Sequence, residues 1–338
     1  MKRTSKGPSK TSSHSVTTRL AKTCAVVTVS GLLAGFSAIV GGASAFAKNK
    51  IGYCTMDVDK AKAAGFDYAE LGFRTFAAMS DEDFAKFAAK VKENKLPTPV
   101  ANVFLPNEQK VVGPNIDDAK IIDYAQRGFD RAKQLGIKTV VFGSGGARKV
   151  PDGFAKEEAM KQLVALAKKL APEAKKRGIV MAVEPLQTKE TNIINTAAEG
   201  LEWVKAVDHP NFQLMVDFYH LALEKEDPAI LVKGAKYIKH IHIANPKGRV
   251  FPESPDEFDY SGFFAQLKKS GYAGTISVEA KPPHDFETDA PKTLAFLREA
   301  SDKGVKPPAD PVAAALPAAA APPPAAPKAA QAAAPAAK

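Results

Sequence analysis

Arg177-Gly178-Ile179-Val180-Met181-Ala182-Val183-Glu184 is the stretch on which the fold turns. Before it, across Lys156–Lys176, apolar residues recur at the spacing of one helix face, and Gly178 stands where a left-handed cap would end that helix. The apolar run that follows is short enough to be a strand buried on both faces. It ends on a carboxylate, Glu184, and a polar loop through Asn195 carries a second one at Glu190.

The rest of the middle repeats this unit. Strands are expected at Ile51–Met56, Tyr68–Phe73, Val100–Leu105, Thr139–Gly143, Ile179–Glu184, Gln213–Asp217, Ile238–Ala244 and Thr275–Glu279. Helices are expected at Val58–Ala64, Phe84–Lys92, Ala119–Leu135, Lys156–Lys176, Ala197–Val207, Pro228–Ala235, Phe263–Lys269 and Pro291–Glu299. Gly65, Gly136 and Gly271 mark further helix exits. Strands alternating with helices give a parallel sheet with right-handed crossovers, and eight such units predict an α/β fold, a closed (β/α)8 TIM barrel over residues 48–304. A doubly wound open sheet would carry a glycine-rich phosphate turn after its first strand, and Gly52-Tyr53-Cys54-Thr55-Met56-Asp57 is not one. Gly143-Ser144-Gly145-Gly146 follows the fourth strand without the dinucleotide spacing and is expected to be a flexible active-site loop.

Both ends differ from this middle. Residues 1–22 hold six Lys/Arg and no carboxylate, and an apolar run of small residues follows to Ala45-Phe46-Ala47. That order predicts a signal peptide over residues 1–47, cleaved after Ala47, for a periplasmic or secreted protein; an uncleaved membrane anchor is the rival. Residues 305–338 are rich in Ala and Pro without apolar periodicity. They are expected to form a disordered tether that could contact the cell envelope. Of the formal net charge of +10, six charges lie in residues 1–22 and a net two in the tail, which leaves about +2 on the barrel. No basic face for nucleic acid is implied. Cleavage would remove Cys24 and leave Cys54, expected to be a core residue, without a disulfide partner.

In a barrel the C-terminal strand ends share one rim. The fifth strand ends in Glu184 and the sixth in Asp217, with His220 three residues on. The seventh alternates His240-Ile241-His242-Ile243, which puts both imidazoles on one face, and the eighth ends in Glu279. A single strand-end carboxylate commonly bonds a loop or caps a helix, and a single strand His is commonly a core residue. Four such groups at one height on four successive strands would repel one another or compete for protons without a cation. Glu184, Asp217, His242 and Glu279 are therefore expected to hold one divalent metal ion. The oxygen-rich set suits Mn²⁺, Mg²⁺ or Co²⁺, and Zn²⁺ also accepts it. His240 is read either as a support for His242 or as core, Glu70 as a carboxylate that could reach the same mouth, and His209 and His284 as loop residues.

These residues resemble the xylose isomerase-like TIM barrels, the sugar phosphate isomerase/epimerase superfamily, over residues 50–300. The nearest motifs are those of ketose 3-epimerases and hydroxypyruvate isomerases. Glu184-Pro-Leu-Gln-Thr-Lys-Glu190-Thr is similar to a motif with a metal-binding Glu followed six residues later by a substrate-contacting Glu. Asp217 with His220 resembles a metal-binding Asp paired with a substrate-contacting His, and Arg249 lies where the family has a substrate-binding Arg. The resemblance implies Glu184 and Glu279 as catalytic acid and base on opposite faces of a keto-sugar, with Glu190, His220 and Arg249 binding that substrate. Aromatic clamps of the family are not evident in the early loops.

Three function classes follow. The first is a metal-dependent sugar isomerase or epimerase working through proton abstraction next to a carbonyl and an enediolate. The second is a lyase or dehydratase that expels a leaving group from a keto-glycoside or keto-inositol. The third is a sugar- or metal-binding barrel without catalysis. An oligomer is compatible with each.

Overall fold

The structure, a computed structural model, describes residues 49–316 of the 338. The signal peptide expected over residues 1–47 and the part of the tail beyond Leu316 lie outside the described residues. Eight parallel strands close a barrel in sequence order: β1 (Lys50–Cys54), β2 (Tyr68–Gly72), β3 (Val100–Asn102), β4 (Thr139–Phe142), β5 (Val180–Val183), β6 (Phe212–Asp217), β7 (Ile238–Ile243) and β8 (Thr275–Val278). Each strand falls where it is expected, and most stop one to three residues earlier. The pairing reaches slightly further than the strands: Glu184 N–H donates to Phe142 O at 3.2 Å and Glu279 N–H to Ile243 O at 3.2 Å.

Helices Lys156–Lys176 and Ala197–Val207 match expectation residue for residue, while the one expected at Pro228–Ala235 shortens to Ile230–Lys233. Among the described residues four helical segments depart from expectation: Phe73–Ala78, Gly145–Arg148, Phe218–Leu223, and Pro311–Ala314 within the tail expected to be disordered. The first three begin within three residues of a strand end, with almost no loop between strand and helix. The expected flexible loop at Gly143-Ser144-Gly145-Gly146 is thus corrected in part, since Gly145 opens a helical turn. The four glycines expected at helix exits all have positive φ, between 71° and 85°, where a side chain would be strained.

The apolar residues divide into two packed regions. Inside the barrel, Tyr68, Val100, Val141, Ala182 and Met215 form one cluster. Tyr68 passes beside Gly52, where a Cβ would come 2.2 Å from its ring, and its hydroxyl meets Ser277 Oγ at 2.7 Å. Between sheet and helices lies the larger region, with Trp203 edge-on to Phe142 and Phe212, and Phe104 stacked on Phe129. Structure continues past residue 304: Val305 packs against this region and Pro311–Ala314 forms a helical turn with Ala314 buried.

The register fixes the rim. Cys54 pairs with Glu70, Asp217 with His242, and His242 with Ser277. A register shift at Leu214/Met215 keeps the ends of β6 and β7 level.

Candidate metal centre and substrate mouth

Glu184, Asp217, His242 and Glu279 converge at the rim, with one ligand atom from each lying within 4.8 Å of the others. Asp217 uses Oδ1 to accept Tyr219 N–H at 2.8 Å, which caps the helix Phe218–Leu223. That bond turns Oδ2 inward, where it is buried without a hydrogen-bond partner. Oδ2 has only long contacts, 3.5 Å to His220 Nε2 and 3.6 Å to Arg249 Nη2. A carboxylate oxygen without a hydrogen bond, grouped with two other carboxylates and an imidazole, is what a divalent cation would satisfy, so the donor set fits the expected ion.

His242 is held from behind. Its Nε2 meets Glu70 Oε1 at 2.9 Å, leaving Nδ1 toward Glu184 Oε1 and Glu279 Oε2, each at 3.3 Å. Glu70 is fully buried and spends its other oxygen on His240 Nε2 at 2.8 Å, while His240 Nδ1 reaches Thr275 Oγ1 at 2.8 Å. Both residues left open by the sequence thus stand behind His242. Burial opposes the charge on Glu70, but the two imidazoles hold its carboxyl well below the usual range. Burial likewise opposes charging of His242, yet Glu70 and Glu279 raise it well above an ordinary imidazole.

The carboxylates differ among themselves. Glu279 accepts Asn102 Nδ2–H on Oε1 at 3.0 Å and Arg249 Nη2–H on Oε2 at 2.6 Å. Burial works against its charge, but His242 and Arg249 bring it down to about 2. Asp217 lies 3.6 Å from Arg249 Nη2, and burial pushes it up to about 7. Burial also raises Glu184, with the charge of Glu279 acting in the same direction.

Above the four groups stands a polar wall. Arg249 stacks its guanidinium 4.7 Å over the Tyr219 ring and reaches Glu190 Oε1 at 3.3 Å. Its backbone is left-handed, with φ of 52°, a strained conformation at the point where its side chain enters the mouth. Gln187 Nε2–H donates to Glu190 Oε1 at 3.1 Å and to Tyr219 Oη at 3.3 Å. Its backbone N–H donates to His220 Nδ1 at 3.3 Å, which puts the proton of the neutral ring on Nε2. Burial lowers His220 to about 3, so the ring stays neutral, and Nε2 is buried without a hydrogen-bond partner.

All seven residues singled out by the sequence therefore meet at one rim. Sequence reasoning missed Asn102, Arg148, Gln187 and Tyr219, and only Gln187 had a signal, its place between Glu184 and Glu190. The expectation for Cys54 is corrected. It is half-buried at the end of β1, and its sulfur lies within 4.8 Å of ligand atoms of Glu70 and His242. His209 Nδ1 accepts Asn211 N–H at 3.0 Å in a loop, and the His284 side chain is exposed.

Comparison with known proteins agrees with this fold. The sequence matches the family described as xylose isomerase-like TIM barrel over residues 58–300. It is 33% identical over 148 residues to an L-ribulose 3-epimerase of Methylomonas sp. (strain DH-1), covering 43% of this chain and 51% of that protein. It is 30% identical over 127 residues to a 3-dehydro-D-guloside 4-epimerase of Escherichia coli (strain K12), covering 37% and 48%. The chain thus spans about half the length of the curated relatives it matches. Among solved structures it resembles a D-allulose 3-epimerase from Methylomonas sp. in complex with D-allulose. The TM-score is 0.66 at 24% identity, covering 75% of this chain and 97% of that one.

Proposed function

This chain belongs to the xylose isomerase-like TIM-barrel family, and from that premise we propose a divalent-metal-dependent isomerase or epimerase of a keto-sugar. The observation that carries the reading is the meeting of four ligand atoms at the ends of β5 to β8, among them an Asp217 carboxylate whose Oδ2 makes no hydrogen bond among the described residues. Glu184, Asp217, His242 and Glu279 would hold the ion, with Mn²⁺, Mg²⁺ or Co²⁺ suited to the oxygen-rich set and Zn²⁺ also accommodated. A bound divalent ion would supply Lewis acidity that makes the hydrogen next to a substrate carbonyl acidic.

The residues supply the rest. His220 Nε2–H and Arg249 donate to the substrate oxygens on which negative charge develops, and Glu190 accepts from a hydroxyl. Glu184 and Glu279 serve the two faces of the substrate. One carboxylate takes the α-proton, its C–H electrons forming the enediolate, and the other delivers a proton to carbon from the opposite face. Proton return with no bond lost to oxygen is what separates this reading from elimination of a leaving group. We further propose export, on the basic, apolar and A-x-A order of residues 1–47.

The test is solvent ²H incorporation into candidate ketoses, followed by NMR on the metal-loaded protein. Deuterium at the carbon next to the carbonyl, with the sugar skeleton intact, is expected. Release of a leaving group would assign a lyase instead, and bound metal with no exchange into any keto-sugar would leave a binding protein.

Metal affinity should depend steeply on pH. Burial places the Asp217 carboxyl at about 7 in the metal-free protein, and His242 is raised well above its ordinary value. Both are protonated below pH 7 and must lose those protons to ligate. Well below the pKa, each released proton weakens apparent affinity about tenfold per pH unit. Calorimetry of Mn²⁺ binding in two buffers should show proton release at pH 6. An affinity that stays flat between pH 5.5 and 7.5 would contradict the apo-site charges.

A further inference from the structure

The segment Gly143-Ser144-Gly145-Gly146-Ala147-Arg148 has no part in the chemistry above, yet it touches Glu184 at two points. A Cβ added at Gly143 would come 2.3 Å from Glu184 Oε2 and 3.4 Å from Glu184 Cδ, and its three nearest atoms all belong to that side chain. Gly143 does not have the left-handed φ that would demand glycine. Its missing side chain is explained by space, because the carboxylate lies over the bare Cα.

The backbone of Glu184 is held from the same segment. Arg148 is fully buried and faces carbonyls rather than a carboxylate: Nη1 donates to Phe142 O at 3.1 Å and Gly143 O at 2.6 Å, and Nη2 to Glu184 O at 2.7 Å and Ile194 O at 3.4 Å. A buried guanidinium is costly to desolvate, and here it joins the ends of β4 and β5 to the loop carrying Glu190. Ser144 Oγ accepts Leu105 N–H at 2.8 Å, which anchors the segment on its other side.

We propose that Gly143 and Arg148 are positioning residues that fix Glu184: Arg148 holds its carbonyl, and the hollow at Gly143 receives Oε2 while Oε1 faces His242. The inference rests on the metal-dependent reading above. In consequence Oε1 stays beside His242 as the oxygen that would meet a cation, and Oε2 is held off that position by the hollow at Gly143.

The decisive variant is Gly143→Ala in the full chain, since alanine fits the backbone and meets only the carboxylate. The expected result is an apo melting curve close to wild type. Mn²⁺ affinity should be at least about tenfold weaker, and kcat about 100-fold lower with little change in KM. The visible spectrum of the Co²⁺-loaded protein should also change, which a general loss of stability would not produce. Arg148→Lys, which keeps the charge but not the fork, should lower kcat less than Arg148→Met. Wild-type Mn²⁺ affinity, Co²⁺ spectrum and kcat in Gly143→Ala would overturn the proposal. Should wild type neither bind Mn²⁺ nor exchange deuterium, the parent reading fails. The positioning claim is then judged on metal-free crystal structures of wild type and Gly143→Ala. Glu184 displaced from His242 in the variant supports it, and an unmoved Glu184 overturns it.

Discussion

Glu279→Gln should lower kcat by about 10²–10⁴-fold while the barrel stays folded. The amide keeps the volume of the side chain and can still accept from Asn102 through its oxygen. Its nitrogen would then face Arg249 Nη2 and His242 Nδ1, two neighbours that now meet an anion at 2.6 Å and 3.3 Å. On the function proposed above, the substitution removes a proton acceptor and one of the three carboxylates of the candidate metal centre together, so exchange at carbon should fall much further than substrate affinity. Glu279 is partly exposed at the mouth, and no stretch of the core depends on it, so an unchanged melting temperature is expected. Solvent deuterium incorporation by the purified variant is the measurement. Exchange within tenfold of wild type would remove Glu279 from the chemistry.

Glu70→Ala should weaken metal binding by about 10–100-fold without touching any ligand. Among the described residues Glu70 is the sole acceptor for two buried imidazole Nε2 groups, and its loss leaves both unpaired in a dry interior. Glu70→Gln should be milder, for a reason the geometry supplies. An amide offers one acceptor and one donor, so one imidazole must move its proton to Nδ1. His240 can do so, because its Nδ1 faces the Thr275 hydroxyl, which can accept. His242 cannot without blocking the atom that faces Glu184 and Glu279. Adding Thr275→Val to Glu70→Gln should therefore bring the double variant close to Glu70→Ala. Competition of Mn²⁺ against a chelator would measure the series, and equal affinities across it would show that Glu70 has no hold on His242.

The barrel was legible because its signals are local. Short apolar runs ending on a polar residue, helical spacing between them and glycine at helix exits need no knowledge of what lies across the sheet. The four cage residues were legible for a related reason: in a closed parallel barrel, a residue ending a strand is on the rim whatever the register. Glu70 was harder, since β2 is buried at four of its five positions and the run itself does not say which of them face the mouth. Asn102 and Arg148 gave no signal. One contacts Glu279 across 177 positions of sequence and the other holds main-chain carbonyls, and neither type of contact leaves a pattern in composition or spacing. The short helix Phe218–Leu223 escaped because Asp217 is read from the sequence only as a metal-ligand candidate, whereas its Oδ1 also caps that helix.

The four cage groups all come from the second half of the rim, β5 to β8. The loops leaving β1 and β3, residues 55–57 and 103–117, give none of them, and among the described residues only the second is tied to the segment beside Glu184. A designer could therefore vary residues 55–57 to reshape what the opening admits while leaving 103–117, whose Leu105 N–H holds Ser144 beside Glu184, untouched, a separation of tasks that makes the scaffold amenable to laboratory evolution.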